Sequence, residues 1–159
     1  MSTVLVETGP DSFAALIAGQ VPPGAAALAD SDIAPAPVLS MLAELSDRIG
    51  QNFAPNAWII VEDGCLAGLI SLVAVPEDRT VRIGYGVAPS YRGRGVASRA
   101  TGHLLTLMRE DSRVDAVLAE TAVDNPASQH VLRVNGFAEA GSRTDPEDGD
   151  LICWRASTA

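Results

Sequence analysis

The sequence contains no lysine, and all eleven of its basic residues are arginine. A P-loop requires a lysine directly after its last glycine, so this class of nucleotide site is excluded. Only two cysteines occur, Cys65 and Cys153, and they lie in separate apolar segments. Zinc sites and disulfide scaffolds use more closely grouped cysteines, so we expect two reduced thiols and no bound metal.

Long apolar runs and a broad basic surface are also missing. No stretch approaches the roughly 20 apolar residues of a membrane-spanning helix, and residues 1–10 lack the basic start and apolar run of an export signal. Acidic residues outnumber basic ones by 20 to 11, which argues against a nucleic-acid partner. We therefore expect a cytoplasmic protein with neither membrane nor nucleic-acid partners, and with an acidic surface that attracts a cationic substrate.

The length of 159 residues and a hydrophobic content of 47% fit one domain over residues 1–159. Alternating and β-branched segments predict strands over 2–8, 57–61, 65–75, 80–88 and 114–122, followed by a hairpin over 137–155. Helical spacing predicts helices over 36–49, 98–110 and 129–134. The segment 21–37, rich in proline and alanine, predicts an extended loop. Together these elements indicate an α+β protein.

An arginine and glycine loop lies in the one basic part of the chain. Residues 82–113 carry six arginines and two acids, whereas the segments before and after them are acidic. There, Arg92-Gly93-Arg94-Gly95 joins an apolar strand to the helix predicted to begin at Ser98. A helix N-terminus stabilises anions, glycine permits close approach, and arginine donates to phosphate oxygens. The loop predicts a pyrophosphate site, with a solvated arginine-rich surface as the alternative.

A dinucleotide is one possible ligand of this loop. The fingerprint Gly-x-Gly-x-x-Gly would use Gly93 and Gly95, but Ser98 occupies the third glycine position and residues 89–92 separate the strand from the turn. Glu120, at the end of the next apolar strand, would then bind a ribose. A nucleotide-dependent oxidoreductase therefore stays open as a minor alternative.

The same loop resembles the coenzyme A pyrophosphate loop of the GNAT superfamily of N-acetyltransferases, whose pattern is Gln or Arg, two residues, Gly, one residue, and Gly or Ala. Residues 124–128 (Asp-Asn-Pro-Ala-Ser), a short helix and residues 135–137 (Asn-Gly-Phe) resemble the pantetheine segment and final hairpin of that family. The motifs cover about residues 82–137, and the branch they most resemble is the ribosomal-protein alanine N-acetyltransferases. The resemblance implies a single-domain fold with a mostly antiparallel, twisted sheet of six to seven strands and about four helices.

The resemblance also implies acetyl-CoA as cosubstrate and assigns residues to it. The N–H of Val87 would polarise the thioester carbonyl, and Tyr85 would line the acceptor pocket. The remaining coenzyme A contacts would come from two segments: Arg92, Gly93, Arg94, Gly95, Val96, Ala97, Asn125 and Ser128.

The catalytic groups are less directly indicated. Many relatives carry a glutamate two residues before the glycine that matches Gly84, but this chain has Arg82 there. Glu120 is the best remaining candidate base, because burial at the end of an apolar strand would raise its pKa towards neutrality. The alternatives are that Glu120 is a solvated strand-end residue, and that an acceptor amine of low pKa needs no dedicated base. Ser128 matches a position beside the leaving sulfur, where it would protonate the thiolate or only bind the pantetheine arm.

We therefore expect an N-acetyltransferase that moves an acetyl group by direct attack of a primary amine. A protein N-terminus, a polyamine and an aminoglycoside-like molecule are the candidate acceptors. Because Arg82 replaces the strand glutamate, a non-catalytic coenzyme A sensor or partner module is the alternative. The resemblance is also compatible with a homodimer, although no surface is indicated for it.

Overall fold

The computed structural model describes residues 2–28 and 33–159. Across these two ranges the chain forms a seven-stranded sheet in the order β1-β2-β3-β4-β5-β7-β6, flanked by four α-helices. The α+β fold predicted from the sequence is confirmed. The strands are β1 (Thr3–Glu7), β2 (Ala57–Glu62), β3 (Cys65–Leu72), β4 (Thr80–Val87), β5 (Ala116–Ala122), β6 (Ala138–Asp145) and β7 (Gly149–Ser157). The helices are α1 (Pro10–Ile17), α2 (Ala36–Gly50), α3 (Val96–Glu110) and α4 (Pro126–Val134), and a 3-10 turn spans Pro89–Tyr91.

The β2–β3 hairpin forms the second and third strands of the sheet. Asp63 and Gly64 both have positive φ, as the two central residues of a tight hairpin turn require. The two strands that this turn joins are buried along nearly their whole length, because helices cover both faces of the sheet there. One apolar cluster packs the sheet against α3 and α4, and a second packs it against α1 and α2.

The sheet opens between β4 and β5. These neighbours are parallel and pair only from Thr80–Ile83 to Ala116–Ala119. Both strands continue beyond the last pair, β4 held by β3 and β5 held by β7. A gap therefore lies between residues 84–87 of β4 and residues 120–122 of β5.

Several boundaries differ from those predicted. Helix α3 begins at Val96 rather than Ser98, because Gly95 takes a left-handed conformation and ends the loop there. Helix α4 begins at Pro126 rather than Gln129, because the Asn125 side chain accepts a hydrogen bond from the Ser128 N–H and caps it. Of the predicted loop 21–37, residues 29–32 lie outside the described residues. In the part that is described, no helix is long and apolar enough to cross a membrane.

Candidate active site

A cleft of about 860 Å³ lies beside the end of β4, beyond its last pair with β5, and extends to the N-termini of α3 and α4. Its size falls in the range of small-molecule and cofactor sites. The described residues that line it come from four stretches of the chain: Ile33, Tyr85, Gly86, Val87, Tyr91, Arg92, Gly93, Gly95, Val96, Ala97, Ser98, Asn125, Ala127, Ser128, His130 and Val131. Of the residues predicted to bind coenzyme A, all but Arg94 lie on this cleft.

The arginine and glycine loop forms one end of the cleft, and its conformation suits an anion. Gly93 and Gly95 have φ of +72° and +75°, which is the left-handed conformation that favours glycine. These turns bring the chain directly into the first turn of α3, whose leading N–H groups have no partner within the helix. Together with the exposed side chain of Arg92, they provide the donors and positive charge that a diphosphate requires.

The basic segment 82–113 is divided by the fold. The Arg94 guanidinium lies over the Tyr91 ring, 4.9 Å from its centroid, and donates to the Ser90 carbonyl oxygen. Arg113 lies beyond the far end of α3, where it pairs with Asp111. The sequence indicated a continuous basic region, but only the part of it around the loop lines the cleft.

The backbone of Val87 points a donor towards the gap. In the antiparallel β3–β4 ladder the backbone groups of Arg82 and Ala88 bond to β3, as their bonds to Val73 and Ala67 show. Backbone groups alternate between the two sides of a strand, so the N–H of Val87 faces β5, beyond the last pair with that strand. This placement fits the predicted role of polarising a carbonyl oxygen.

Tyr85 and Ser128 meet at the edge of the cleft. The Tyr85 hydroxyl donates to the Ser128 Oγ over 3.2 Å. Burial raises the pKa of the Tyr85 phenol, and its hydrogen bond to Ser128 acts in the opposite direction. The phenol is therefore protonated at neutral pH, and it leaves the Ser128 proton free to point elsewhere. The two residues were predicted separately, and the structure joins them.

Asn125 caps α4 and also lines the cleft. Its Oδ1 accepts from the Ser128 N–H over 3.2 Å and thereby caps α4. Its side-chain NH₂ group makes no hydrogen bond within the described residues. Because the residue also lines the cleft, that group is available to an amide carbonyl of a bound ligand.

Glu120 departs from its predicted environment. It follows Ala119, the last residue of β5 paired with β4, and is bound by the Arg143 guanidinium. That hydrogen bond and charge hold the pKa of Glu120 below its ordinary value and outweigh its partial burial. The prediction of a raised pKa is therefore wrong. Among the described lining residues of the cleft, Glu120 does not occur.

A smaller cavity of about 200 Å³ lies on the other face of β4, beneath α2. It meets the cleft at Ile33, Tyr85 and Gly86, which line both. Its other described lining residues are mainly apolar: Ala34, Val38, Leu42, Leu69, Ser71, Val73 and Gly84. Tyr85, which was predicted to line an acceptor pocket, thus lies between the two cavities.

Sequence reasoning missed some lining residues. Gly86 is one, although glycine inside a strand often marks the close approach of a ligand. Val131 is another, and it lies three residues after Ser128, on the same face of α4. Ile33 carried no comparable local signal.

Comparison with known proteins places these features in a family. The sequence model of the family described as the acetyltransferase (GNAT) domain matches residues 26–138. A Bacillus subtilis protein named provisionally as the ribosomal N-acetyltransferase YdaF is 33% identical over 87 residues, which are 54% of this chain and 48% of that protein. The ribosomal-protein-serine acetyltransferase of Escherichia coli is 32% identical over 92 residues, 57% of this chain and 51% of that protein. The chain thus spans about half the length of the curated relatives it matches.

Solved structures show the same fold. The ribosomal L7/L12 α-N-protein acetyltransferase RimL in complex with coenzyme A superposes with a TM-score of 0.74 at 19% identity, covering 99% of this chain and 94% of that one. A chimera of the spermidine N-acetyltransferase SpeG from Vibrio cholerae and hSSAT gives a TM-score of 0.74 at 17% identity, covering 99% and 96%.

Proposed function

The chain belongs to the GNAT acetyltransferase family, and from this premise we propose that it transfers an acetyl group from acetyl-CoA to a primary amine. One observation carries the proposal. A single cleft contains an anion-binding loop at one end and the Tyr85–Ser128 hydroxyl pair at the other, with the Val87 N–H facing the gap between the strands.

The loop and α4 would hold the coenzyme. The N–H groups at the start of α3 and the Arg92 guanidinium would bind the diphosphate. Arg94 would join them once its guanidinium leaves the Ser90 carbonyl oxygen. The Asn125 NH₂ group would donate to a pantetheine carbonyl while its Oδ1 continues to cap α4. These contacts would direct the thioester towards residues 84–87.

Three groups would then act on the reaction. The N–H of Val87 would donate to the thioester oxygen as negative charge develops there. Attack by the amine nitrogen forms the C–N bond, and the C–S bond breaks. Ser128 would give its proton to the departing thiolate sulfur, and Tyr85 would replace that proton through the hydrogen bond between their hydroxyl oxygens. The attacking nitrogen would lose its extra proton to water, and water would in turn reprotonate Tyr85.

The acceptor would enter through the smaller cavity beneath α2, since this cavity reaches the cleft at Tyr85 and Gly86. We keep Glu120 as the candidate general base, acting through water. Its lowered pKa makes it a weak base, which favours acceptors whose amine is already partly neutral. An α-amine, with a pKa of about 8, meets this requirement better than a lysine-type amine, with a pKa of about 10.4. We therefore rank a protein N-terminus above a polyamine or an aminoglycoside-like amine.

The test is release of coenzyme A thiol with three acceptor classes: peptides with free N-termini, polyamines and aminoglycosides. We expect release with the peptides, and an acetylated N-terminal nitrogen by mass spectrometry. The same peptides with a blocked N-terminus and an internal lysine are the matched control. Release with polyamines alone would refute the ranking of acceptors. Coenzyme A binding without release in any class would favour the non-catalytic sensor instead.

A further inference from the structure

A buried carboxylate lies behind the diphosphate loop, outside the proposed chemistry. Glu62, the last residue of β2, has a side chain only 1% exposed, and its Oε1 accepts from the Arg99 Nη2 over 3.1 Å. Thr3, directly opposite on β1, donates to the other carboxylate oxygen and accepts from the Arg99 Nε over 2.9 Å. Both oxygens of Glu62 therefore have partners, and one guanidinium is held from two sides.

Arg99 connects this cluster to the loop. It lies in the first turn of α3, and its remaining Nη1 donates to the Arg94 carbonyl oxygen over 3.1 Å. The same nitrogen lies 2.7 Å from where a Cβ on Gly95 would be, so it packs directly against the left-handed turn that starts the helix. The three donor positions of one guanidinium thus link β1, β2 and the diphosphate loop.

We propose that Glu62 is a positioning residue for coenzyme A binding, which holds Arg99 so that Arg99 fixes the Arg94 carbonyl and the loop around it. This inference rests on the proposed function, because it concerns the loop that would bind the diphosphate. Arginine suits the task because its planar fork makes several hydrogen bonds in fixed directions. A carboxylate buried this deeply is costly unless paired, so the ion pair and the loop conformation depend on each other.

The sign of the effect separates positioning from simple electrostatics. Glu62→Gln removes a negative charge close to a diphosphate site, so electrostatics alone would tighten binding of an anion. If Glu62 instead positions the loop, the same substitution weakens binding, because Arg99 loses its charged partner and the Arg94 carbonyl its fixed donor. We expect the dissociation constant for coenzyme A to rise about tenfold, the equivalent of one charge-assisted hydrogen bond.

The experiment is isothermal titration calorimetry with coenzyme A on the whole protein, with steady-state kinetics in acetyl-CoA. For Glu62→Gln we expect the acetyl-CoA KM to rise with the dissociation constant and kcat to change little, since Glu62 contacts none of Tyr85, Ser128 and Val87. Arg99→Lys keeps the charge but loses the fork, and it should weaken binding to a similar degree. Thr3→Val, the mildest change, should show a smaller loss and remains available if Glu62→Gln does not fold.

Leu16→Ala is the matched control for general destabilisation. Leu16 is buried in α1, in the cluster on the other side of the sheet, so this variant should unfold more easily yet bind coenzyme A as the wild type does. Unchanged or tighter binding by folded Glu62→Gln, or an equal loss in Leu16→Ala, would overturn the inference while the proposed function stands. Failure of the wild type itself to bind coenzyme A would refute the proposed function, and this inference with it.

Discussion

Gly95 gives the sharpest quantitative prediction, and Gly93 is its internal control. Both residues have φ near +75°, so replacing either by alanine imposes left-handed strain of about 1–2 kcal/mol. Their surroundings differ. A Cβ at position 93 would meet no atom within 4 Å, whereas a Cβ at position 95 would lie 2.7 Å from the Arg99 Nη1.

Gly95→Ala must therefore displace the Arg99 guanidinium as well as strain the backbone. Losing the hydrogen bond from Arg99 to the Arg94 carbonyl oxygen adds about 1 kcal/mol. We expect Gly95→Ala to lower the free energy of unfolding by about 2–3 kcal/mol and Gly93→Ala by about 1–2 kcal/mol. For a chain of this length, the difference corresponds to a melting temperature about 2–4 °C lower for Gly95→Ala than for Gly93→Ala.

The assay is thermal unfolding followed by circular dichroism, without ligand and then with saturating coenzyme A. Coenzyme A should stabilise Gly93→Ala more than Gly95→Ala, because the displaced Arg99 no longer holds the loop. Equal melting temperatures of the two variants in the absence of ligand would show that Arg99 does not pack against Gly95. That result would refute the reasoning from which the difference was calculated.

Four further predictions concern the cleft and its surroundings. Tyr85→Phe removes the donor to Ser128, so kcat should fall by about 100-fold or more, as for loss of an acid–base group, with a smaller change in KM, measured by initial rates at saturating acetyl-CoA. Arg143→Ala should raise the pKa of Glu120, so the acid limb of the kcat/KM profile moves to higher pH; an unmoved limb excludes Glu120 as the base. The Glu120–Arg143 ion pair should stabilise the fold above the ordinary glutamate pKa of about 4.3 and lose this effect as pH falls below it. Acid unfolding should therefore show the wild type to be more stable than Arg143→Ala above this pH, with the difference shrinking below it. Asn125→Asp keeps a capping oxygen but loses the NH₂ donor, so it should weaken coenzyme A binding in calorimetry while changing stability by less than the roughly 1 kcal/mol of a lost cap. Equal losses of coenzyme A affinity in Asn125→Asp and Asn125→Ala would support this separation of binding from capping.

The extent of sequence-based prediction is clear from particular residues. Gly93, Gly95 and Asn125 act through turns and helix caps formed within a few residues, so their pattern predicted the loop, the cleft and the start of α3 to within two residues. Glu120 shows where this approach fails. Its local sequence is an apolar strand and predicted a raised pKa, but the partner that lowers the pKa, Arg143, lies 23 residues away on another strand.

The sequence by itself determined the α+β fold class, the loop that starts α3 and the motifs of the family, because backbone conformation at glycines and helix caps depends on neighbouring residues. Only the tertiary structure decided which side chains act together. Tyr85 meets Ser128 across 43 residues, and Arg99 meets Thr3 across 96. Such pairs are set by strand order and by the packing of helices on the sheet, and no spacing within the chain encodes them.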